Sequence, residues 1–305
     1  MRRYVMIWLS VAATVFLGFL GLSEYMVRVY VEPHDLLTRH AAKMAASSTR
    51  NALFGDSHAA LGFTGQTDVI NLAFPGENTT TIASKARAYH RRVSLDLVML
   101  QAGAHQFAPK RDNEVGRDYD DGRLQIGNIR VLSPWHRPQL LQYWRVLLKG
   151  SNFVANRSLQ TDGAQTVTAN FGELSQAERM RDAKNTVLGQ IPPRDMNQTR
   201  GFRNLQNLIE ELIAGGARLC LVSFPVAKAY RDIAKGYPNF AAARKSIATL
   251  ATRHEIPYAD FWAALSDDRQ FINSDHLNDA GARRLAPMII RACEKPVQAT
   301  GSNRQ

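Results

Sequence analysis

Short apolar runs alternate with helix-spaced stretches along most of this chain, and the alternation sets its class. Runs rich in branched and aliphatic residues occur at 51–54, 69–72, 95–101 and 219–224, with a weaker one at 257–259. Between them, apolar residues recur at helical spacing over 80–92, 202–214, 240–254 and 280–291. Gly215 and Gly216 follow the second of these stretches, where a helix would stop. Strands that alternate with helices are expected to pair in parallel, because each crossover helix returns the chain to the same end of the sheet. The pattern predicts an α/β fold: a doubly wound parallel sheet with helices on both faces, a three-layer arrangement like that of flavodoxin.

Three segments depart from the pattern. After Arg2 and Arg3, the stretch from Tyr4 to Ser23 carries no charged side chain and is long enough as a helix to cross a bilayer core of about 30 Å. It runs through Gly18, Gly21 and Ser23 into Glu24 with no Ala-x-Ala site, so it reads as a retained anchor and not a cleaved leader. By the positive-inside tendency, Arg2 and Arg3 keep the short N-terminus in the cytoplasm and send the rest across. The expected layout is an anchor over 1–30 and an α/β domain over 31–295. In a bacterium this is a single-pass inner-membrane protein with its C-terminal domain in the periplasm. The second departure, from about 108 to 200, is too long for a simple crossover and contains Pro134, Pro138, Pro192, Pro193 and the aromatic group Trp135, Tyr143 and Trp144. It reads as an insertion with helices of its own beside the carboxyl ends of the strands, its aromatics forming a small core. The last segment, 296–305, reads as a disordered tail.

Composition adds less. With 305 residues and 45% hydrophobic content the chain can bury a full core. A formal net charge of +11 favours an anionic surface or substrate, but the excess is dispersed arginine. No zinc-finger spacing, RNP stretch or lysine-dense tail is present, so no nucleic-acid module is expected. Cys220 and Cys293 are the two cysteines, and the apolar setting of Cys220 reads as a buried thiol, not a disulfide framework.

Candidate chemistry sits at the ends of the strands. Gly55, Asp56, Ser57 and His58 directly follow the first apolar run, so a serine hydroxyl is presented where a strand gives way to a turn. Asp56 and Ser57 are also the residue types that cap helices, which is the plain structural alternative for Ser57. Gly76 lies just after the second strand, where a backbone N–H with no side chain in the way can point at a developing oxyanion. Gly103, Ala104, His105 and Gln106 follow the third strand. Near the far end, His276 lies in the polar loop Asn273-Ser274-Asp275-His276 just before a helix, and can lean toward the first strand as a base for Ser57.

With these residues in this order, the chain resembles the SGNH or GDSL hydrolases, in particular the membrane-anchored bacterial branch associated with cell-envelope and exopolysaccharide acylation. The resemblance spans roughly 50–287 apart from the insertion. It implies Ser57 as nucleophile with its own N–H as an oxyanion donor, Gly76 as the second donor and His276 as general base. Two positions depart from the family pattern. His105 stands where an asparagine would be the third oxyanion donor, with Gln106 beside it. Asn273 stands where an aspartate would orient the base, leaving Asp275, adjacent to His276, as the nearby charge. The implied activity is an esterase or O-acyltransferase acting on acyl esters, acetyl above all, of envelope or secreted polysaccharide, without a cofactor. Implied partners are the glycan or a small acyl ester, the membrane, and a membrane protein that delivers the acyl donor.

Other readings stay open at this level. A protein that keeps the fold but only binds glycan or scaffolds an assembly would also tolerate the missing aspartate. A zinc hydrolase could draw on Asp56, His58 and His276. A phosphate-binding Rossmann domain fits poorly, because the first strand is followed by neither Gly-x-Gly-x-x-Gly nor a phosphate-loop lysine.

Overall fold

The computed structural model describes residues 2–31, 36–66, 68–114, 116, 119, 131, 141, 144, 158–159, 165–166 and 169–294. The chain divides into two compact units, 1–43 with 121–158, and 44–120 with 159–305. In the first unit, helix α1 (Arg2–Met26) continues into a short π-helical stretch, Val27–Val31. The segment Arg3–Val29 is long and apolar enough to cross a membrane. Arg28, near its end, pairs with Glu24 one turn earlier at 2.7 Å, so the two charges partly cancel. Helix α2 (Leu36–Ala46) leads toward the second unit.

The second unit is the α/β layer. In chain order it holds β1 (Asn51–Phe54), α3 (Ser57–Gly62), β2 (Ile70–Asn71), α4 (Thr79–Val93), β3 (Leu97–Gln101) and α5 (Pro109–Asn113). It continues with α6 (Gln176–Gly189), α7 (Arg200–Ala214), β4 (Arg218–Ser223), α8 (Lys228–Ala234), α9 (Pro238–Arg253), β5 (Tyr258–Asp260) and α10 (Asp279–Glu294). All five strands pair in parallel in the order β2-β1-β3-β4-β5. That is the flavodoxin-like order, which reverses direction between β1 and β3 and opens a crevice at their carboxyl ends.

Period-two alternation along the strands sorts the core into two faces. Leu53, Met99, Cys220, Val222 and Ala259 share one buried cluster with Ala59 and Ala60 of α3, Phe63 just after it, and Leu285, Ala286 and Ile289 of α10. On the other face, Phe54 meets Tyr89 of α4 edge-on at 6.2 Å, and α4 packs beside α7, which lies against β4. Local chemistry fixes the helix ends: Asn78 caps α4, Thr199 caps α7, and Gly216, at φ +83°, carries the chain out of α7 in a conformation that favours glycine.

Of the segment 108–200, the stretch 169–200 belongs to the α/β unit: Ser175 and Glu178 form a reciprocal capping box that starts α6, and α6 packs on α8. Trp135, Tyr143 and the tail 296–305 lie outside the described residues, and Trp144 stacks on Phe19 within the first unit at 6.3 Å.

The reading of Cys220 as a buried thiol is corrected. Cys220 and Cys293 form a disulfide that closes a separation of 73 residues. Alternation turns Cys220 toward the α10 face of β4, and the apolar stripe of α10 brings Cys293, in its last turn, to the same place. The pairing follows from which face each cysteine occupies, which spacing in the sequence does not state. Replacing both cysteines by alanine should lower unfolding free energy by about 2–4 kcal/mol, measured by guanidinium titration of the full chain in detergent. An unchanged midpoint would mean that the closed loop is already held by packing alone.

Candidate active site

Ser57 is placed by the strand that precedes it and by a cap that is not its own. β1 ends at Phe54, Gly55 follows, and Asp56 caps α3 by accepting from His58 N at 3.0 Å. Ser57 is the first residue of that helix, so the capping alternative falls to Asp56 and leaves the serine hydroxyl available. Parallel pairing of β1 with β3 brings Gln101 alongside, where its Oε1 accepts from Asp56 N at 2.9 Å and Ala59 N at 3.2 Å. A Cβ on Gly55 would lie 2.3 Å from that Oε1, so the position needs glycine.

His276 reaches Ser57 from the loop before α10, its Nε2 2.7 Å from Ser57 Oγ. Asn273 builds the loop: its Oδ1 accepts from His276 N at 2.8 Å and Asp275 N at 3.2 Å, which settles which end of the amide is the oxygen. The same Oδ1 lies 3.1 Å from His276 Nδ1 in hydrogen-bonding geometry. Asp275 Oδ1 is nearer, at 2.8 Å, but off the direction a ring N–H would take. Both neighbours of Nδ1 are acceptors, so Nδ1 carries the proton and Nε2 is left to accept from the serine hydroxyl. That is the tautomer a general base requires. The amide aims the ring, and the carboxylate supplies charge beside it.

Asp275 is 2% exposed and is held from several sides. Its Oδ2 accepts from Gln190 Nε2 at 2.7 Å and lies 3.4 Å from His58 Nε2; Gln190 Oε1 in turn accepts from Tyr230 at 2.7 Å. Burial alone would push the Asp275 carboxyl up, but the His276 and His58 rings hold it well below the ordinary carboxylate range. His58 stacks on His105 at 3.9 Å and tilts toward His276 at 4.6 Å. Burial first, then the His105 ring, push His58 down to about 4 against the opposing pull of Asp275. At neutral pH it is an uncharged ring between two others.

The remaining expected residues divide. Gly76 sits in the turn after β2 at φ +79°, in the left-handed region that favours glycine. Asn71 ties that strand to α3 by donating to Ala59 O at 2.9 Å and Phe63 O at 3.0 Å. Beside Gly76, Glu77 is buried with Lys85 at 2.6 Å and accepts from Tyr119 at 2.9 Å, while Lys85 also donates to Leu72 O. This buried pair braces the turn. His105 lies 2.9 Å from Asp56 Oδ2, and since a carboxylate only accepts, Nε2–H points at Asp56. Gln106 accepts from Gly103 N and closes its own turn.

The sequence reading missed Gln101, Gln190, Tyr230 and the supporting role of His58. Of these, only Gln101, polar at the end of an otherwise apolar strand, carries a signal in the sequence. Two triads, Asp56 with His58 and His105, and His58 with Asp275 and His276, group donor atoms within 4.8 Å.

No family model and no curated protein matches the chain. Among solved structures it is similar to a GDSL-like lipase from Bacteroides thetaiotaomicron, 14% identical with a TM-score of 0.45, the match covering 86% of this chain and 98% of that one. It is similar also to the lipase/acylhydrolase from Enterococcus faecalis, 15% identical with a TM-score of 0.40, covering 82% of this chain and 100% of the other.

The buried histidine has a consequence for stability. His58 takes up its proton near 6.5 when unfolded and near 4 when folded, so the unfolded state binds more protons between those values. Stability should be level above pH 7 and fall from about pH 6.5 to 4 by on the order of 3 kcal/mol. A separate loss follows below about 4 as the depressed Asp275 is protonated. Denaturant midpoints across pH check this, with His58→Asn flattening the upper limb; a level parent curve between pH 7 and 4 would contradict it.

Proposed function

We propose that this protein is a serine ester hydrolase of the SGNH type that works through an acyl-Ser57 intermediate. The observation that carries the reading is the 2.7 Å contact between Ser57 Oγ and His276 Nε2, with the proton of the ring fixed on Nδ1. His276 takes the serine proton as Oγ attacks the ester carbonyl, and Asp275 offsets the imidazolium charge that forms. The oxyanion is taken by the N–H groups of Ser57 and Gly76. With its Nε2–H on Asp56, His105 serves better as a support for the strand end than as a third donor. His276 then returns its proton to the leaving alcohol, and a water activated by the same ring releases the acyl group.

A sugar hydroxyl in place of that water would make the same site an O-acyltransferase. The apolar N-terminal helix and the Cys220–Cys293 disulfide support an exported, membrane-tethered domain, since such bonds persist in oxidising compartments. That setting favours acyl, chiefly acetyl, esters of envelope or secreted polysaccharide, with a membrane protein as acyl donor if transfer is the physiological reaction. The paired Ser57 and His276 weigh against a protein that only binds or scaffolds.

A fluorophosphonate probe on the full chain in detergent should label the parent and leave Ser57→Ala unlabelled. No labelling of the parent would sink the enzyme reading. With p-nitrophenyl acetate, Ser57→Ala and His276→Ala should each lower kcat by about 10⁴-fold or more.

The two neighbours of Nδ1 should separate in the same assay. Asp275→Asn removes the charge and should lower kcat by about 10²- to 10⁴-fold. Asn273→Ala, which leaves Asp275 in contact with the ring, should lose at least tenfold less. Equal and mild losses would show that neither side chain controls the base.

A further inference from the structure

A second cleft opens at the same end of the sheet as Ser57. It is formed where α8, the start of α9 and the residues after β5 come together at the carboxyl ends of β4 and β5, with a volume of about 520 Å³. That is within the size range of small-ligand sites. Ten residues line it, of which Arg231, Lys235 and Arg244 are basic and none is acidic. Tyr237, Phe240 and Trp262 provide its aromatic surface.

The cations are fixed in different ways. Arg231 is anchored through Nη1, which donates to Val226 O at 2.5 Å and Leu265 O at 3.1 Å. Arg244 bonds Asp260 and sits over the Trp262 ring at 5.6 Å. Lys235 pairs with Asp232 at 2.9 Å, but its side chain is 76% exposed, and an ion pair so open to water is weak and easily exchanged. An aromatic surface next to the anchored Arg231 guanidinium and the exposed Lys235 suits a ligand with an apolar ring face and a carboxylate.

The cleft also touches the catalytic loop through one side chain. Tyr230 lies edge-on to Trp262 at 5.4 Å and to Phe240 at 6.0 Å, both lining residues. Its hydroxyl donates to Gln190, and Gln190 donates to Asp275, each at 2.7 Å. Two hydrogen bonds join the wall of the cleft to the carboxylate beside His276.

We propose that this cleft is a binding subsite for a carboxylated sugar residue of the substrate, seated on Trp262 and Tyr237 with its carboxylate toward Arg231 and Lys235. The assignment rests on the ester-processing reading only for calling the ligand substrate; the binding itself is separable from catalysis. An acidic glycan chain could then be held at one end of the sheet while an ester further along it meets Ser57.

Binding is best measured on the full chain in detergent carrying Ser57→Ala, by titration calorimetry and tryptophan fluorescence, so that the result does not depend on turnover. Trigalacturonate should bind saturably and weaken with added salt, with maltotriose at least tenfold weaker. Trp262→Leu and, separately, Lys235→Glu should each weaken trigalacturonate binding about tenfold; the exposed Lys235 can be exchanged without disturbing the fold. Equal binding of the two trisaccharides, no binding of either, or full binding in both variants would overturn the proposal. Triglutamate binding as tightly as trigalacturonate would also overturn it, by showing a general acid-binding patch. Loss of fluorophosphonate labelling in the parent would instead strike the hydrolase reading and leave these titrations standing.

Discussion

A carboxylate kept ionised out of water at Asp275 is the constraint around which the loop before α10 is arranged. A buried charge is tolerated only when donors and opposite partial charges surround it. Asp275 is met by the His276 ring at 2.8 Å, by Gln190 at 2.7 Å and by the His58 ring at 3.4 Å. The backbone next to it is fixed as well, since Ser274 N donates to Asp182 of α6 and Ser274 O accepts from Ala227 N, each at 2.9 Å. The loop therefore cannot move as a unit without exposing or unpairing this charge. On the hydrolase reading, the Asp275 charge lies beside the imidazolium that forms as His276 takes a serine proton. On the same reading, a division of labour between Asn273, which aims the ring, and Asp275, which places charge beside it, lets the site depart from a directly aligned acid and still hold its base in register.

The other end of the contact depends on Asp56 in the same way. It is fully buried and its carboxyl lies below the usual range, burial opposing and His105 outweighing it by charge and hydrogen bond. Its donors are His58 N at 3.0 Å, Gln101 at 2.8 Å and His105 at 2.9 Å. They come from α3, from the end of β3 and from the turn after β3. One carboxylate thus joins the two strands that flank the crevice, and Ser57 is the next residue in the chain. The position of Ser57 is inherited from the sheet through Asp56.

Much of this was legible in the sequence where the cause is local. The five strands of the sheet and four of the helices fall within about three residues of where the apolar pattern put them, because burial on both faces imposes continuous apolar runs on parallel strands. Ser57 and Gly76 were legible because a strand end followed by a small residue is itself a local feature. Helix α6 was not, since only Ala183 and Val187 are buried along it and so narrow a stripe barely registers as periodicity; the Ser175–Glu178 capping box was its available signal. Gln190, Tyr230 and the disulfide depend on contacts 40 to 85 residues apart, which no local pattern encodes.

On the hydrolase reading, His105 shows how a departure from the SGNH pattern could be absorbed. An asparagine at this place has two amide donors, and could hold a neighbour with one while offering the other to a substrate. A neutral imidazole has a single N–H. Here that N–H goes to Asp56, and the ring face is covered by His58 at 3.9 Å, so the substitution trades a possible oxyanion donor for a firmer hold on the strand end. On the hydrolase reading, oxyanion stabilisation then falls to the backbone, and the placement of the Gly76 turn gains weight accordingly. That turn is the one braced by Asn71 against α3 and by the buried Glu77–Lys85 pair, with Tyr119 closing over it. A backbone donor is only as well aimed as the turn that carries it. On the hydrolase reading, the bracing of this turn therefore serves the aim of the Gly76 N–H.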